Sequence, residues 1–212
     1  APLGNPVEMD AALPDMLARL RADPEYPQRF EAAFGSPDID SQRMLKALAQ
    51  FTGTLVSADS RYDRYVRGDA NALNATEQAG LAAFRSRCAS CHAEPLFSDF
   101  SYRDNGLDVA PRDAGRATVT ARDEDRGRFR VPSLRNVGLT PPYMHDGRFD
   151  TLGQVLDHYR NGIAAGDRVD PALRGNLPID DAERGALLAF LQTLDDAAFA
   201  HDPRYADPAR RR

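Results

Sequence analysis

The stretch Cys88-Ala89-Ser90-Cys91-His92 decides how the rest of the chain is interpreted. Its pattern, C-x-x-C-H, is the attachment sequence of c-type haem. Two thiols at this spacing can form thioethers with the two vinyl groups of one porphyrin, and the histidine that follows then lies under the iron as its proximal ligand. The stretch therefore predicts one covalent haem c, held by Cys88, Cys91 and His92.

Two other uses of paired cysteines agree less well with the sequence. A structural zinc site needs a second Cys/His pair at ligand spacing, and none follows here. A thioredoxin-like redox pair needs a βαβ context, whereas the flanking residues have the patterns of helix and loop.

Composition limits the function classes further. The 212 residues suffice for one large domain or for one and a half small ones. Because 27 basic and 32 acidic side chains give a net charge of −5, the chain lacks the basic excess of nucleic-acid-binding proteins. No run approaches the roughly 18 apolar residues of a membrane span. Bacteria attach haem c outside the cytoplasm, so the expected compartment is the periplasm.

Apolar periodicity predicts a mainly α fold with few short strands. Helices are predicted over residues 12–22, 25–34, 40–57, 75–87 and 180–195. Asn74 and Glu77 have the spacing of a capping box ahead of the helix that leads into the haem motif. Residues 58–73 are interpreted as a linker, and residues 93–130 as a loop-rich segment with a short β-ribbon around 117–130. Met16 and Met44 lie at helical spacing and are expected in the core.

A close helix crossing is predicted at Gly80. A glycine inside a helix costs about 1 kcal/mol relative to alanine, and close contact with another helix would offset that cost. We therefore expect the residues around Gly80 to pack against the last strong helix. The predicted contact set is Gly80, Leu81 and Phe84 against Leu187, Phe190 and Leu191.

The second axial position of the iron needs a ligand from beyond the loop. The candidates are Met144, His145, His158, Tyr159 and His201. A methionine favours a high-potential electron carrier, whereas an anionic tyrosine oxygen favours ferric and higher oxidation states. Spacing alone does not choose among them.

Two further stretches carry a resemblance to a known family. Arg130-Val131-Pro132-Ser133-Leu134-Arg135-Asn136-Val137 is followed by Leu139-Thr140-Pro141-Pro142-Tyr143-Met144-His145-Asp146-Gly147-Arg148-Phe149. Together with the C-x-x-C-H stretch, and with Asn5-Pro6-Val7-Glu8-Met9 and Thr54-Leu55-Val56-Ser57 upstream, this resembles the bacterial di-haem cytochrome c peroxidase family, which includes MauG. The motifs occur in the family's order over roughly residues 1–195.

The resemblance implies roles for particular residues of the haem site. His92 matches the proximal ligand of the C-terminal haem. The family's peroxidases place a methionine sixteen residues after the position of Tyr143, and Tyr159 stands there in this chain, as in MauG. Tyr159 is therefore the implied sixth ligand, with a packed tyrosine as the alternative. His145 is implied to hydrogen-bond near the haem, and Arg130 and Arg135 to pair with its propionates.

Other implied roles concern the first haem and a calcium ion. Glu8 matches a distal glutamate that moves a proton between the oxygens of bound peroxide, and Pro2 matches a residue of the same pocket. Backbone carbonyls of Thr140 and Pro142 match calcium ligands between the two haems. The alternatives are a surface acid at Glu8 and an ordinary proline-rich turn at residues 140–142.

The family carries two C-x-x-C-H motifs, and this sequence contains one. The resemblance therefore implies that residues 1–70 are closing helices and linker of an N-terminal haem domain, and that residues 71–212 form the C-terminal cytochrome c domain. The C-x-x-C-H motif of the first haem, which would bind peroxide, would lie upstream of Ala1. Apolar faces in residues 1–70 are expected to form a partner surface for that haem domain or chain.

The implied function is that of a periplasmic di-haem oxidoreductase. It would use hydrogen peroxide to form a high-valent haem and would oxidise a protein substrate or an electron donor, such as a small cytochrome or cupredoxin. One alternative is a conventional cytochrome c peroxidase that reduces hydrogen peroxide to water. Another is a mono-haem electron-transfer protein without catalysis. A homodimer is compatible with the sequence.

Overall fold

The computed structural model describes residues 2–6 and 8–206, and the chain divides into two compact units between Val56 and Ser57. Helices dominate and strands are few and short, as predicted. Within the described residues, no helix is long and apolar enough to cross a membrane. The assignment of residues 1–70 to a first-haem domain stays a prediction.

The first unit is built on α1 (Leu13–Ala22), α2 (Glu25–Phe34) and α3 (Ser41–Thr54). Helix α2 ends at Gly35, which adopts the left-handed conformation (φ 76°) typical of glycine at a helix end. Asp40 caps α3 by accepting a hydrogen bond from the backbone N–H of Arg43. The core contains Phe30, Ile39 and Met44, with Met16 packed against it, so both methionines lie where helical spacing placed them.

Helix α3 buries only part of its apolar surface within the first unit. Met44 is 4% exposed, whereas Leu45, Leu48, Phe51 and Leu55 are 40–49% exposed. Of these five apolar residues, Met44 alone is buried. The four exposed side chains, hereafter the α3 apolar face, recur at helical spacing because one side of the helix carries them.

The predicted linker over 58–73 contains a helix, and this prediction was wrong. Helix α4 (Arg61–Val66) begins at a capping box in which Ser60 and Asp63 bond each other's backbone N–H groups. Tyr62 is 2% exposed and donates its backbone N–H to the carbonyl of Thr193. These contacts hold α4 within the second unit.

Helices α5 (Ala75–Arg87) and α8 (Asp181–Gln192) cross closely, as predicted. A Cβ atom at Gly80 would lie 2.0 Å from the carbonyl oxygen of Ala186, so only glycine fits. Phe84 packs on Phe190 with ring centroids 5.1 Å apart. The predicted capping box at Asn74 and Glu77 is present. The crossing fixes the end of α5, where the haem motif begins.

The rest of the second unit is short elements and loops. Strand β1 (Tyr102–Arg103) pairs antiparallel with β2 (Phe129–Arg130), with Tyr102 opposite Arg130. Residues 117–120 were expected in this ribbon, but they form the single-turn helix α6 (Ala117–Thr120). Gly115 causes the difference, because its left-handed backbone (φ 56°) turns the chain immediately before α6.

Helix α7 (Leu152–Asp157) leads directly into a π-helical turn, His158–Gly162, and neither was predicted. Helix α9 (Ala197–Ala200) follows α8. The 3₁₀ turns are Pro2–Gly4, Asp123–Asp125, Val137–Leu139, Pro171–Leu173 and Pro203–Tyr205. A π-helical turn is rare and often marks a functional position.

Candidate functional site

The C-x-x-C-H stretch forms a tight turn at the end of α5. The backbone N–H of Cys88 still bonds the carbonyl of Phe84 at 2.8 Å, so this cysteine closes the helix. The amides of Cys91 and His92 then both donate to the carbonyl of Cys88, at 3.1 and 2.9 Å. Neither cysteine is in a disulfide. The turn thus brings two free thiols and one imidazole together.

The imidazole of His92 is oriented by a backbone hydrogen bond. Its Nδ1 lies 3.0 Å from the carbonyl oxygen of Phe97, which can only accept, so Nδ1 carries the proton. Burial lowers the pKa of His92, against the opposing effect of backbone hydrogen bonds to Phe97 and Pro132. A neutral ring protonated at Nδ1 presents the Nε2 lone pair, which is the arrangement usual for a metal-ligating histidine.

Phe97 is held firmly enough to act as this support. It is fully buried and has a left-handed backbone (φ 54°). Its ring meets those of Tyr62 and Phe84 edge-on, with centroids 4.9 and 5.5 Å away. The aromatic core therefore fixes the carbonyl that orients His92.

The pKa values of both thiols are raised. Burial, reinforced by the charge of Cys91, raises the pKa of Cys88 to about 12. Burial also raises the pKa of Cys91. Zinc binds thiolates, and among the described residues no group of three or more His, Cys, Asp or Glu side chains is placed to hold a metal ion.

Tyr159 is the candidate sixth ligand that lies near the two cysteines. Burial raises its pKa, the charges of Cys88 and Cys91 raise it further, and a hydrogen bond to the side chain of Asn105 lowers it. Tyr159 stands inside the π-helical turn, and its backbone carbonyl accepts from Leu177 at 2.8 Å. Its hydroxyl therefore shares the electrostatic surroundings of the haem-attachment turn.

Of the other candidates, Met144 and His158 both lie close to Tyr159, the His158 ring with its centroid 5.2 Å from that of Tyr159. The Met144 sulfur accepts a hydrogen bond from Nδ2 of Asn105 at 3.5 Å, the same side chain that bonds Tyr159. His158 is 6% exposed, and its Nε2 bonds the backbone carbonyl of Asn105 at 3.0 Å. Because the His158 ring is buried and makes this hydrogen bond, it stabilises the π-helical turn.

The two remaining histidines lie elsewhere. His145 is exposed and stacks on the ring of Phe129, with centroids 3.7 Å apart and planes within 10°. Its predicted hydrogen bond near the haem is not among the contacts of the described residues. His201 is exposed in the turn that follows α9.

The two arginines expected at the haem propionates differ in their exposure and in their hydrogen-bond partners. Arg130 is exposed, with its guanidinium 4.8 Å from the ring centroid of Phe100. Arg135 forms a bidentate ion pair with Asp63 at 2.9 Å for each bond, and its other N–H groups donate to the carbonyls of Ser57 and Pro95. All five donors of Arg135 thus have partners, which does not agree with a propionate-binding role.

The residues expected at the calcium ion and the first haem are exposed. Thr140 and Pro142 lie at the surface of the second unit. Pro2 and Glu8 lie at the surface of the first unit, where the amide of Glu8 bonds the carbonyl of Asn5 at 3.0 Å. The predicted roles of these four residues stay predictions.

Sequence reasoning missed Asn105 and Phe97. Asn105 connects Tyr159, Met144 and His158, and Phe97 orients His92. In the sequence, Asn105 has only the pattern of a turn, Asp104-Asn105-Gly106, and Phe97 only that of an apolar residue in a loop. Both act through contacts that join distant parts of the chain.

The residues present fit a c-type haem. Two free thiols lie on one turn, and the adjacent imidazole offers Nε2. The partly buried phenol of Tyr159, near both thiols, would supply an oxygen ligand. Cys88, Cys91, His92 and Tyr159 would hold the group.

Comparison with known proteins agrees with this geometry. A family model described as di-haem cytochrome c peroxidase matches residues 1–71. The methylamine utilization protein MauG of Methylorubrum extorquens is 39% identical over 204 residues, which cover 91% of this chain and 56% of that protein. Cytochrome c551 peroxidase of Nitrosomonas europaea is 36% identical over 199 residues, with the same coverage of 91% and 56%. The chain thus spans little more than half the length of these relatives.

Solved structures show the same likeness. A MauG-like protein associated with microbial copper homeostasis has a TM-score of 0.79 and is 33% identical, over 97% of this chain and 69% of that one. The diheme peroxidase BthA of Burkholderia thailandensis has a TM-score of 0.70 and is 27% identical, over 94% of this chain and 63% of that one. With the haem-attachment turn and its two flanking motifs, these similarities establish that the chain belongs to the di-haem cytochrome c peroxidase family, the family of MauG.

Proposed function

We propose that this chain is the C-terminal part of a periplasmic di-haem oxidoreductase that uses hydrogen peroxide to oxidise a protein substrate or an electron donor, with residues 71–212 as its C-terminal haem domain. The observation that carries the proposal is the placement of Tyr159, a partly buried side chain of the π-helical turn that lies near Cys88 and Cys91. A tyrosine at this position corresponds to the pattern of MauG rather than that of the conventional peroxidases.

A haem c bound at Cys88 and Cys91 supplies one-electron redox chemistry, and an anionic oxygen ligand favours its oxidised states. The protein's part is orientation. Phe97 fixes the tautomer of His92, so Nε2 is unprotonated and points away from the backbone bond. His92 and Tyr159 are both partly buried, which would limit the access of water to a haem held between them.

The proposal includes partners and a second haem. The first haem belongs to an N-terminal domain or chain, where Glu8 holds and moves a proton and Pro2 shapes the pocket. Backbone carbonyls of Thr140 and Pro142 provide hard oxygen ligands for calcium. The electron donor is a small cytochrome or cupredoxin, or else the oxidised partner is a protein substrate.

Two observations favour alternatives. The Met144 sulfur accepts a hydrogen bond from the same Asn105 side chain that lowers the pKa of Tyr159. A methionine, the sixth ligand of a conventional cytochrome c peroxidase, therefore lies near the proposed tyrosine ligand. The sequence contains a single C-x-x-C-H motif, which agrees with a mono-haem electron-transfer protein.

Haem stoichiometry tests the first part of the proposal. Intact-mass measurement of the chain, produced in bacteria with the c-type haem attachment machinery, is expected to show one covalent haem. Cys88→Ser and Cys91→Ser together should abolish attachment. A chain with no covalent haem under these conditions would overturn the assignment.

Substitution of Tyr159 tests the oxidative function. In the full di-haem assembly, Tyr159→Phe is expected to slow peroxide-dependent oxidation of a protein substrate by at least about tenfold, since loss of the ligand removes more than about 1.4 kcal/mol of stabilisation. Tyr65→Phe, a tyrosine of α4, should leave the rate unchanged. Equal rates in the Tyr159→Phe and parent proteins would favour a conventional peroxidase.

A further inference from the structure

Asn105 occupies a backbone position that is fixed from several sides. Its carbonyl accepts from Nε2 of His158 at 3.0 Å. On one side of it, the carbonyl of Asp104 accepts from the amide of Asp170 at 3.0 Å, and on the other, Gly106 accepts from Ala164 at 2.8 Å. The segment 104–106 is therefore attached to the π-helical turn and to the loop that follows it.

Gly106 makes this attachment close. It has a left-handed backbone (φ 67°), and a Cβ atom there would lie 2.5 Å from Cγ2 of Ile163. The Asp104 carboxylate also accepts from the amide of Gly106 at 2.8 Å. These contacts use backbone atoms and neighbours, so they position the Asn105 side chain without involving it.

The Asn105 side chain links the two ligand candidates. Its Nδ2 donates to the sulfur of Met144 at 3.5 Å, and a hydrogen bond from the same amide lowers the pKa of the neighbouring Tyr159. An asparagine amide has two N–H donors and one carbonyl acceptor, so one side chain can serve both contacts. A neutral amide donor stabilises a phenol oxygen without adding a charge beside it.

Met144 is itself held on a short turn. It has a left-handed backbone (φ 72°), and its carbonyl accepts from Gly147 at 3.4 Å. The adjoining Tyr143 and Phe149 exchange backbone hydrogen bonds of 2.7 and 3.5 Å. The backbone of Met144 is thus constrained, while its flexible thioether is held by Asn105.

We propose that Asn105 is a positioning residue that decides which side chain reaches the iron opposite His92: it holds the Tyr159 oxygen as the ligand and keeps the Met144 sulfur engaged elsewhere. This inference rests on the proposed function, because it requires a haem at Cys88 and Cys91. Met144 is then a reserve ligand, kept from the metal by one hydrogen bond. The same fold would give a tyrosine-ligated or a methionine-ligated site according to residue 105.

The test replaces the amide by a side chain of similar size, Asn105→Leu, and leaves the backbone contacts in place. Near-infrared magnetic circular dichroism of the oxidised, haem-loaded protein identifies the axial ligands. The parent is expected to show a phenolate–iron signature. Asn105→Leu is expected to lose it, to gain the methionine–iron charge-transfer band, and to have a higher reduction potential.

Two further variants complete the design. Asn105→Leu combined with Met144→Leu should lose the methionine band, which assigns that band to residue 144. Met144→Leu alone should retain the phenolate signature. Should Asn105→Leu fail to fold, Asn105→Ala removes the same amide with a smaller side chain.

The outcomes separate the two claims. A phenolate signature and an unchanged potential in both the parent and the Asn105 variants would overturn this inference and leave the proposed function standing. A parent protein without a phenolate signature would overturn the proposed tyrosine ligation, and this inference with it.

Discussion

At the scale of single residues, Asp99 shows how charge supports the haem-attachment turn. Its amide bonds the carbonyl of Cys91 at 2.8 Å, and its carboxylate accepts from Arg103 and from the hydroxyl of Ser101, each at 2.7 Å. Arg103 also donates to Asp170 at 2.8 Å. The turn that carries the second thiol is therefore linked through Asp99 to a three-residue ion-pair cluster.

The pH dependence of stability follows from this cluster. Burial acts to raise the pKa of Asp99, but bonds to Arg103 and Ser101 outweigh it and lower the pKa from 3.8 to about 2. Because the folded pKa is the lower one, the stabilisation is present above about pH 4 and is lost as the pH falls toward 2. Asp99→Asn should cost about 1 kcal/mol at neutral pH, since solvent screens the partly exposed pair.

Denaturant unfolding measured between pH 7 and pH 2 tests this expectation. The Asp99→Asn protein should show a shallower loss of stability below pH 4 than the parent. Asp167→Asn, at an exposed acid outside the ion pairs of the described residues, serves as the control. If the stability of the parent and Asp99→Asn proteins falls equally below pH 4, this role of the carboxylate is refuted.

Tyr62 gives a second prediction at this scale. Its hydroxyl donates to Glu94 at 2.5 Å, and Glu94 is also paired with Arg85 at 2.8 Å. Burial, the bond to Glu94 and the charge of that carboxylate all raise the pKa of Tyr62. Tyr62→Phe should destabilise the protein by about 1–2 kcal/mol, because it leaves a partly buried carboxylate with one partner fewer.

The raised pKa of Tyr62 also determines how its contribution to stability changes at alkaline pH. A raised folded pKa means that the contribution of Tyr62 is complete below about pH 10 and declines at higher pH. Unfolding curves of Tyr62→Phe should therefore depend less on pH above 10 than those of the parent protein. Tyr65→Phe, in the same helix, is the matched control, and an equal effect of both substitutions would contradict the assignment.

At the scale of elements, the crossing of α5 and α8 is the contact that places the haem motif. Gly80→Ala would bring a methyl group into the carbonyl of Ala186, at 2.0 Å before relaxation. Overpacking of this kind costs about 1–3 kcal/mol. Thermal unfolding should show a lower midpoint for Gly80→Ala.

Gly185→Ala is the control for this prediction, because it lies in α8 with no atom within 4 Å of an added Cβ. It should be neutral or stabilise by up to about 1 kcal/mol, as alanine favours a helix. A Gly80→Ala protein as stable as the parent would show that the helices separate without cost.

The same elements show what sequence patterns can predict. The boundaries of α1, α2 and α5 follow from periodicity and caps, since Asn74 with Glu77 and Gly35 act locally. Helix α4 escaped prediction because its capping box uses Asp63 in place of the usual Glu, and because six residues are too few to show periodicity. The π-helical turn escaped because it depends on contacts with residues 105 and 177.

The residues of the candidate site also differ in how far the sequence predicts them. Cys88, Cys91 and His92 are recognisable because their spacing is itself the chemistry. Tyr159 is proposed as a ligand only by resemblance, and the ion pair of Arg135 with Asp63 could not be predicted because it joins positions 72 residues apart. Asn105 gave no signal, because its importance comes from three contacts made across the fold.

At the scale of the whole molecule, the two units differ in how completely they bury their apolar surface. The second unit encloses an aromatic core around Phe84, Phe97 and Phe190. The first unit leaves the α3 apolar face exposed. Exposed apolar patches of this kind mark interaction sites, which agrees with the expected partner surface of residues 1–70.

Substitution on the α3 apolar face tests that expectation. Leu48→Gln together with Phe51→Gln should weaken binding of the chain to its N-terminal haem domain by at least about tenfold, as apolar contact area is lost. Sedimentation velocity over a range of concentrations measures the change. Val119→Gln, at a residue that is 88% exposed in the second unit, is the control. Association that persists unchanged in the double variant would place the partner surface elsewhere.

The central claim concerns the pair of side chains, His92 and Tyr159, that we propose as the ligands of the haem iron. Resonance Raman spectroscopy of the oxidised, haem-loaded protein, excited within the phenolate–iron absorption, tests it most directly. We expect enhanced phenolate ring vibrations that disappear in Tyr159→Phe and persist in Tyr65→Phe. A spectrum without phenolate vibrations in the parent protein would contradict ligation of the iron by His92 and Tyr159.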